Sequence, residues 1–256
     1  MFVKTFGSTV HGVEALTITV EVNWDAQGKD YFIVGLPDSA VKESMQRVES
    51  AIKSNDYDMP RTKIVVNLAP ADVKKSGTAF DLPIAMGVLG ASEQMRCWEK
   101  LQDYLLMGEL SLQGEVRPIK GALPIAIQAR KDRFKGLIVP LSNAREAGMV
   151  NNLNVYGVNH IREVIEFFEG GEKSLQPITV NVREEFLTAQ YHFETDFAEV
   201  KGQENIKRAL EIAAAGGHIT FERYMQHVLY APRLGYYVAG ARKFGADGDF
   251  VTAPEL

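Results

Sequence analysis

Leu16-Thr-Ile-Thr-Val-Glu-Val-Asn-Trp24 decides the fold class. Leu16, Ile18, Val20, Val22 and Trp24 alternate with Thr17, Thr19, Glu21 and Asn23. A period of two puts the five apolar side chains on one face of a strand and the polar ones on the other, the mark of a half-buried sheet strand. Asp25-Ala-Gln-Gly-Lys29 has turn chemistry, so Tyr31 to Val34 is expected as the return strand. After Pro37, Asp38 is placed to cap a helix, and Val41, Met45, Val48 and Ile52 fall on one of its faces. That face is expected to cover the sheet.

Working outward, Lys63 to Leu68 reads as a strand, Pro70 to Gly77 as a loop and Ala79 to Gly90 as a helix of small residues able to sit deep against its neighbours. A hairpin around Gln113-Gly114 and a helix over Gly121 to Lys131 follow. The order then continues with a strand at Gly136 to Val139, a short helix at Asn143, a strand at Asn152 to Tyr156 and a helix over His160 to Phe168. Strands and helices alternate without a regular βαβ march, which predicts a mixed sheet in an α+β domain. Gly170-Gly-Glu-Lys-Ser-Leu-Gln-Pro177 is the clearest linker. The expected organisation is a domain over 1–169, a linker over 170–195, and further segments over 196–218 and 219–256.

Composition excludes more than it identifies. The net charge of −5 gives no basic field pointing to nucleic acid. The single cysteine, Cys97, excludes an internal disulfide framework and fits a reducing compartment. Met1-Phe-Val-Lys-Thr5 lacks a signal pattern and no apolar run approaches a membrane span, so a soluble, cytoplasmic protein is expected. His11, His160, His192, His218 and His227 have no ligand-like spacing, and no metal site is expected.

Met1-Phe-Val-Lys-Thr-Phe-Gly-Ser-Thr-Val-His-Gly-Val-Glu-Ala15, Ile33-Val-Gly-Leu-Pro-Asp38, Val65-Val-Asn-Leu-Ala-Pro-Ala-Asp72 and Gly77-Thr-Ala-Phe-Asp-Leu-Pro-Ile84 resemble the amino-terminal region of magnesium-chelatase-like AAA+ ATPases of the ComM/YifB type. The resemblance covers residues 1–218. It implies a ribosomal protein S5 domain 2-like fold, shared with Lon protease. It also implies a homo-hexameric ring using ATP and Mg²⁺, acting on DNA in recombination and natural transformation. Within Phe197-Ala-Glu-Val-Lys-Gly-Gln203, the resemblance assigns adenine contact to Val200, Gly202 and Gln203.

The phosphate-binding loop that should follow does not. The chain reads Ile219-Thr-Phe-Glu-Arg-Tyr-Met225, and only Gly240-Ala-Arg-Lys-Phe-Gly245 has the glycine spacing of G-x-x-x-x-G-K-[ST]. Ala246-Asp247 then stands where Lys would reach the β- and γ-phosphates and Ser or Thr would hold Mg²⁺. This chain is therefore expected to bind neither ATP nor Mg²⁺ productively and to be catalytically inactive.

Ile219-Thr-Phe-Glu-Arg-Tyr-Met225, Leu229-Tyr-Ala-Pro-Arg-Leu-Gly-Tyr-Tyr237 and Phe244 to Leu256 are similar to the opening of a class I S-adenosylmethionine-dependent methyltransferase of the complex I assembly factor (MidA) family. The two families share the small residues at the seam, Ala214 to Gly217, so the chain reads as a chimera. Two alternatives stand beside the inactive ATPase fragment: a methyltransferase function in the tail, and a genuine fusion acting as a partner-binding module. Residues 219–256 are too few to close a Rossmann-like sheet.

The comparison with Lon singles out one further position. There a Ser before a small-residue helix attacks the peptide and a Lys after a Gly-Glu-Val-x-Pro-Ile string activates it. Thr78 falls near the nucleophile position and Leu123 or Pro124 stands where the Lys is needed, while Lys120 is displaced from it by about a helical turn and Ser76 is a substitute nucleophile. A hydroxyl without a base is a poor nucleophile, so Thr78 is expected to be vestigial. Lys74-Lys75, before the Ala79 helix, is a candidate anion site, with a solvated corner as the alternative.

Overall fold

A computed structural model describes residues 1–180, apart from 13, 26, 27, 29 and 171–173, together with 207 and 210. All but the last two belong to a compact unit, Met1–Glu185. Its elements are β1 (Phe2–His11), β2 (Glu14–Asp25), β3 (Tyr31–Val34), α1 (Ser39–Lys42), α2 (Ser44–Lys53), β4 (Lys63–Ala69) and α3 (Asp81–Ala91). The chain continues through β5 (Tyr104–Leu106), β6 (Glu109–Leu110), β7 (Val116–Arg117), α4 (Ala122–Lys131), β8 (Gly136–Pro140), α5 (Leu141–Ala147), β9 (Asn154–Val158) and α6 (Ile161–Gly170).

Seven strands form one sheet in the order β3-β4-β2-β1-β5-β8-β9, with β6 and β7 as a separate hairpin. The sheet is mixed: β1–β2 and β2–β4 are antiparallel, and the other four pairings are parallel. Its second half runs β5, α4, β8, α5, β9 with all three strands parallel, a βαβ march that the spacing of the sequence conceals. The small β6–β7 hairpin interrupts the apolar rhythm between β5 and α4.

Ile18, Val20 and Val22 are fully buried, as their alternation requires, whereas Leu16 at the strand end is exposed. The expected hairpin partner is corrected. β3 does not pair with β2, because β4 fills that edge over Thr19 to Asp25 and β3 adds to the far side of β4 in parallel. Gly35, just after β3, has φ +97°, and a Cβ there would lie 2.1 Å from the Leu68 carbonyl oxygen. Only glycine lets the chain leave β3 this close to β4.

The helix capped by Asp38 is broken into α1 and α2, and Asp38 accepts from the Val41 N–H at 2.9 Å. Val41, Met45, Val48 and Ile52 are nevertheless all buried on one side. Every residue of α3 is buried. Gly87 in α3 faces Val22 so closely that a Cβ would meet its Cγ2 at 2.6 Å, which explains the glycine at this contact with the sheet.

α2, α3 and α6 share one core with one face of the sheet. On the other face, α4 and α5 enclose Leu105, Leu137, Val139 and Val155 in a second core. β5, β8 and β9 are thus buried on both faces, as parallel strands are. After α6 the chain does not leave the unit at once: the Ile178 N–H donates to the Val155 carbonyl at 2.7 Å and Val180 to Gly148 at 3.3 Å. The segment read as linker therefore begins as a strap along this face.

Candidate functional cleft

Chain progression reverses between β1 and β5. The first four strands build outward from β1 in one direction and β5, β8 and β9 in the other, so the β1/β5 junction is the switch point of the sheet. In open sheets, ligands bind in the crevice beyond the carboxyl ends of the strands at such a point. β1 and β5 share one registered pair, Phe6–Leu105, and then part. A cleft of about 460 Å³ opens there, lined by Ser8 and Val10 of β1, the loop Ser76 to Ala79, Met107 and Glu109 after β5, and Pro118 to Lys120.

The loop before α3 is fixed by its own backbone. Lys75 N–H donates to Leu36, the Lys75 carbonyl accepts from Asp38, and the Asp38 carboxylate also accepts from Gly77 N–H at 3.2 Å. This stitching presents Thr78 to the cleft, where its hydroxyl donates to Glu109 Oε2. The other oxygen of Glu109 faces Arg117 at 3.5 Å.

Glu109 is aimed in turn by a buried ion pair. Asp81, the first residue of α3, is wholly buried and accepts from Arg47 Nε at 2.7 Å, from Arg47 Nη2 at 3.0 Å and from Leu110 N–H at 3.1 Å. It thereby pins the strand residue next to Glu109. The bond to Asp81 raises the Arg47 pKa, while burial, opposed by Arg47, pushes the Asp81 carboxyl up.

The structure brings Ser76, Thr78 and Lys120 into one cleft, although their spacing in the chain suggested that Lys120 was displaced. It also shows the partner that the sequence did not reveal. Glu109 lies 31 residues from Thr78, in Met107-Gly-Glu-Leu110, with no motif around it. Leu123 sits in the first turn of α4, its N–H donating to Glu146 at 3.0 Å, and packs with the second core.

The candidate anion site at Lys74-Lys75 is corrected. Lys75 is wholly buried, its ammonium donating to the Pro70 carbonyl, and that burial lowers its pKa. At the α3 start, Asp81 N–H donates to the Thr78 carbonyl and Leu82 N–H to the Gly108 carbonyl, and Pro83 has no N–H, so the first three residues of the helix offer an anion no donor.

Val200, Gly202 and Gln203, and the seam Ala214 to Gly217, lie outside the described residues. Among the described residues no group of three His, Cys, Asp or Glu side chains could hold a metal, and no helix is long and apolar enough to cross a membrane.

Residues 20–143 match the family described as subunit ChlI of Mg-chelatase, and residues 196–221 match the family described as magnesium chelatase, subunit ChlI. The first segment is therefore similar to the ChlI family of magnesium chelatase over residues 20–143. The chain is 39% identical over 207 residues to the competence protein ComM of Haemophilus influenzae, an alignment covering 81% of this chain and 40% of ComM. It is 42% identical over 207 residues to YifB of Escherichia coli, covering 81% of this chain and 39% of YifB. An archaeal Lon protease of Thermococcus kodakarensis is 28% identical over 148 residues, 55% of this chain and 23% of the protease. The chain spans about two fifths of the length of the ComM and YifB relatives it matches.

Proposed function

We propose that this chain is the accessory domain of a ComM/YifB-type AAA+ ATPase, S5 domain 2-like in fold, followed by the opening of the ATPase domain. In the whole protein it would serve an ATP- and Mg²⁺-driven homo-hexamer that processes DNA, the role implied by the resemblance to the ComM/YifB type. The chain of 256 residues does not itself hydrolyse ATP. The observation that carries this is in the sequence: the second chelatase match stops at residue 221, and no G-x-x-x-x-G-K-[ST] follows it. Without that loop nothing grips the β- and γ-phosphates, and adenine contact by Val200, Gly202 and Gln203 contributes little alone.

The cleft at Thr78 is a binding feature and not a peptidase. Its hydroxyl donates to a carboxylate that shares its charge with Arg117, and the position expected for an activating Lys is an apolar helix residue. Residues 219–256 are read as a methyltransferase-like segment, which makes the chain a chimera joined near Ala214 to Gly217. The supporting observation is that the chelatase match ends close to this seam.

Phosphate release by the purified chain with ATP and Mg²⁺ should stay at background. Release abolished by Gln203→Ala would overturn the reading. A specific complex with S-adenosylmethionine would favour the methyltransferase alternative.

A further inference from the structure

We propose that the cleft at the β1/β5 junction takes an extended polypeptide segment as an added strand along Ser8–Val10 of β1. In an antiparallel pair, residues alternate between exchanging both backbone bonds with the partner strand and pointing them away. The Ser8 N–H points away from β2, because it donates to the Met107 sulfur on the β5 side at 3.0 Å. By the period of two, the Ser8 carbonyl and the Val10 N–H and carbonyl point the same way, into the cleft. Phe6–Leu105 is the only registered β1–β5 pair, and among the described residues no strand continues beside Ser8–Val10.

A strand edge inside a crevice is a template for another backbone. Three residues of extended chain span about 10 Å, the reach of Ser8 to Val10. A thioether is a weak acceptor, and methionine changes rotamer readily, so Met107 can yield Ser8 N–H to a peptide carbonyl. The walls suit a peptide better than a nucleic acid. Ile119 offers apolar surface, Ser76 and Thr78 offer hydroxyls, and Lys120 and Glu109 give the lining one side chain of each charge. Binding without cleavage rests on the reading of Thr78 as unactivated, but the two ideas fail separately.

The test uses the full 256-residue chain and a fluorescein-labelled, unfolded casein, followed by anisotropy and by gel. Casein should bind, remain intact and slow hydrogen exchange at the Val10 amide. Val10→Pro removes the cleft-facing N–H without costing a bond to β2, and Ser76→Trp, at an exposed position, blocks the crevice from its other wall. Each should weaken binding by about tenfold or more while thermal unfolding stays cooperative, since an unpaired carbonyl left in the bound state costs about that factor. Equal binding by wild type and both variants, or no binding at about millimolar protein, overturns the proposal. So does protection of Val10 by a single-stranded oligonucleotide in place of casein. Casein cleaved but still dependent on Val10 would sustain the binding site and refute the unactivated Thr78.

Discussion

Arg47→Met removes one partner of a buried ion pair and leaves the other in place. Asp81 has no exposed side-chain surface and would lose both Arg47 bonds, at 2.7 and 3.0 Å, keeping Leu110 N–H. Breaking such a pair from one side costs about 3–5 kcal/mol. Arg47 retains 19% side-chain exposure, which places the expected loss near the lower end, about 3 kcal/mol. With a urea slope of about 2 kcal/mol per molar, the unfolding midpoint should fall by about 1.5 M. Arg47→Met with Asp81→Leu should recover most of that, because no charge remains buried. The pH dependence has a definite sign. Burial already raises the Asp81 pKa, and losing Arg47 raises it further. The variant should therefore be closest to wild type at acid pH, below the folded Asp81 value, and lose ground as pH rises through it. A midpoint shift under about 0.3 M, or a double variant as weak as the single one, would refute the reasoning.

Two further outcomes are expected. Gly35→Ala should destabilise the unit by roughly 2 kcal/mol or more, since it forces a Cβ onto the Leu68 carbonyl at positive φ, and hydrogen exchange should show β3 loosened before the rest of the sheet. Lys75→Met should be tolerated at pH 7. Because burial lowers the folded Lys75 pKa, wild type should gain stability relative to that variant as pH climbs from the folded value toward the ordinary lysine value, which paired urea titrations at pH 7 and pH 10 would show.

The period of two in β2 and the period near four in α2 were legible because each element has one buried and one open face. β1 was not. Its Thr5, Ser8 and Thr9 are buried, and a central strand of hydroxyl residues has the composition of a loop. β5 is three residues long and buried throughout, so it carries no alternation to detect. Thr78 could be picked from its place before the small-residue helix, whereas Glu109 could not, because its role is created by the Asp81–Arg47 pair that positions its neighbour. Lys75 was misread for a related reason: nothing in Lys74-Lys75 tells which ammonium is folded inward onto Pro70.

The strand order also sets a timetable for synthesis. β3 is made before β4, its sole partner in the sheet, and β1 waits from His11 until Tyr104 before anything can pair with its second edge. At about 5–20 residues per second, that edge stands open on the ribosome for roughly 5–20 s. An apolar strand so exposed would invite pairing with other nascent chains. The interior of β1 carries Thr5, Gly7, Ser8 and Thr9 in place of a run of valine and isoleucine, so a nascent chain that pairs with it during the wait gains backbone bonds but little apolar burial to hold it.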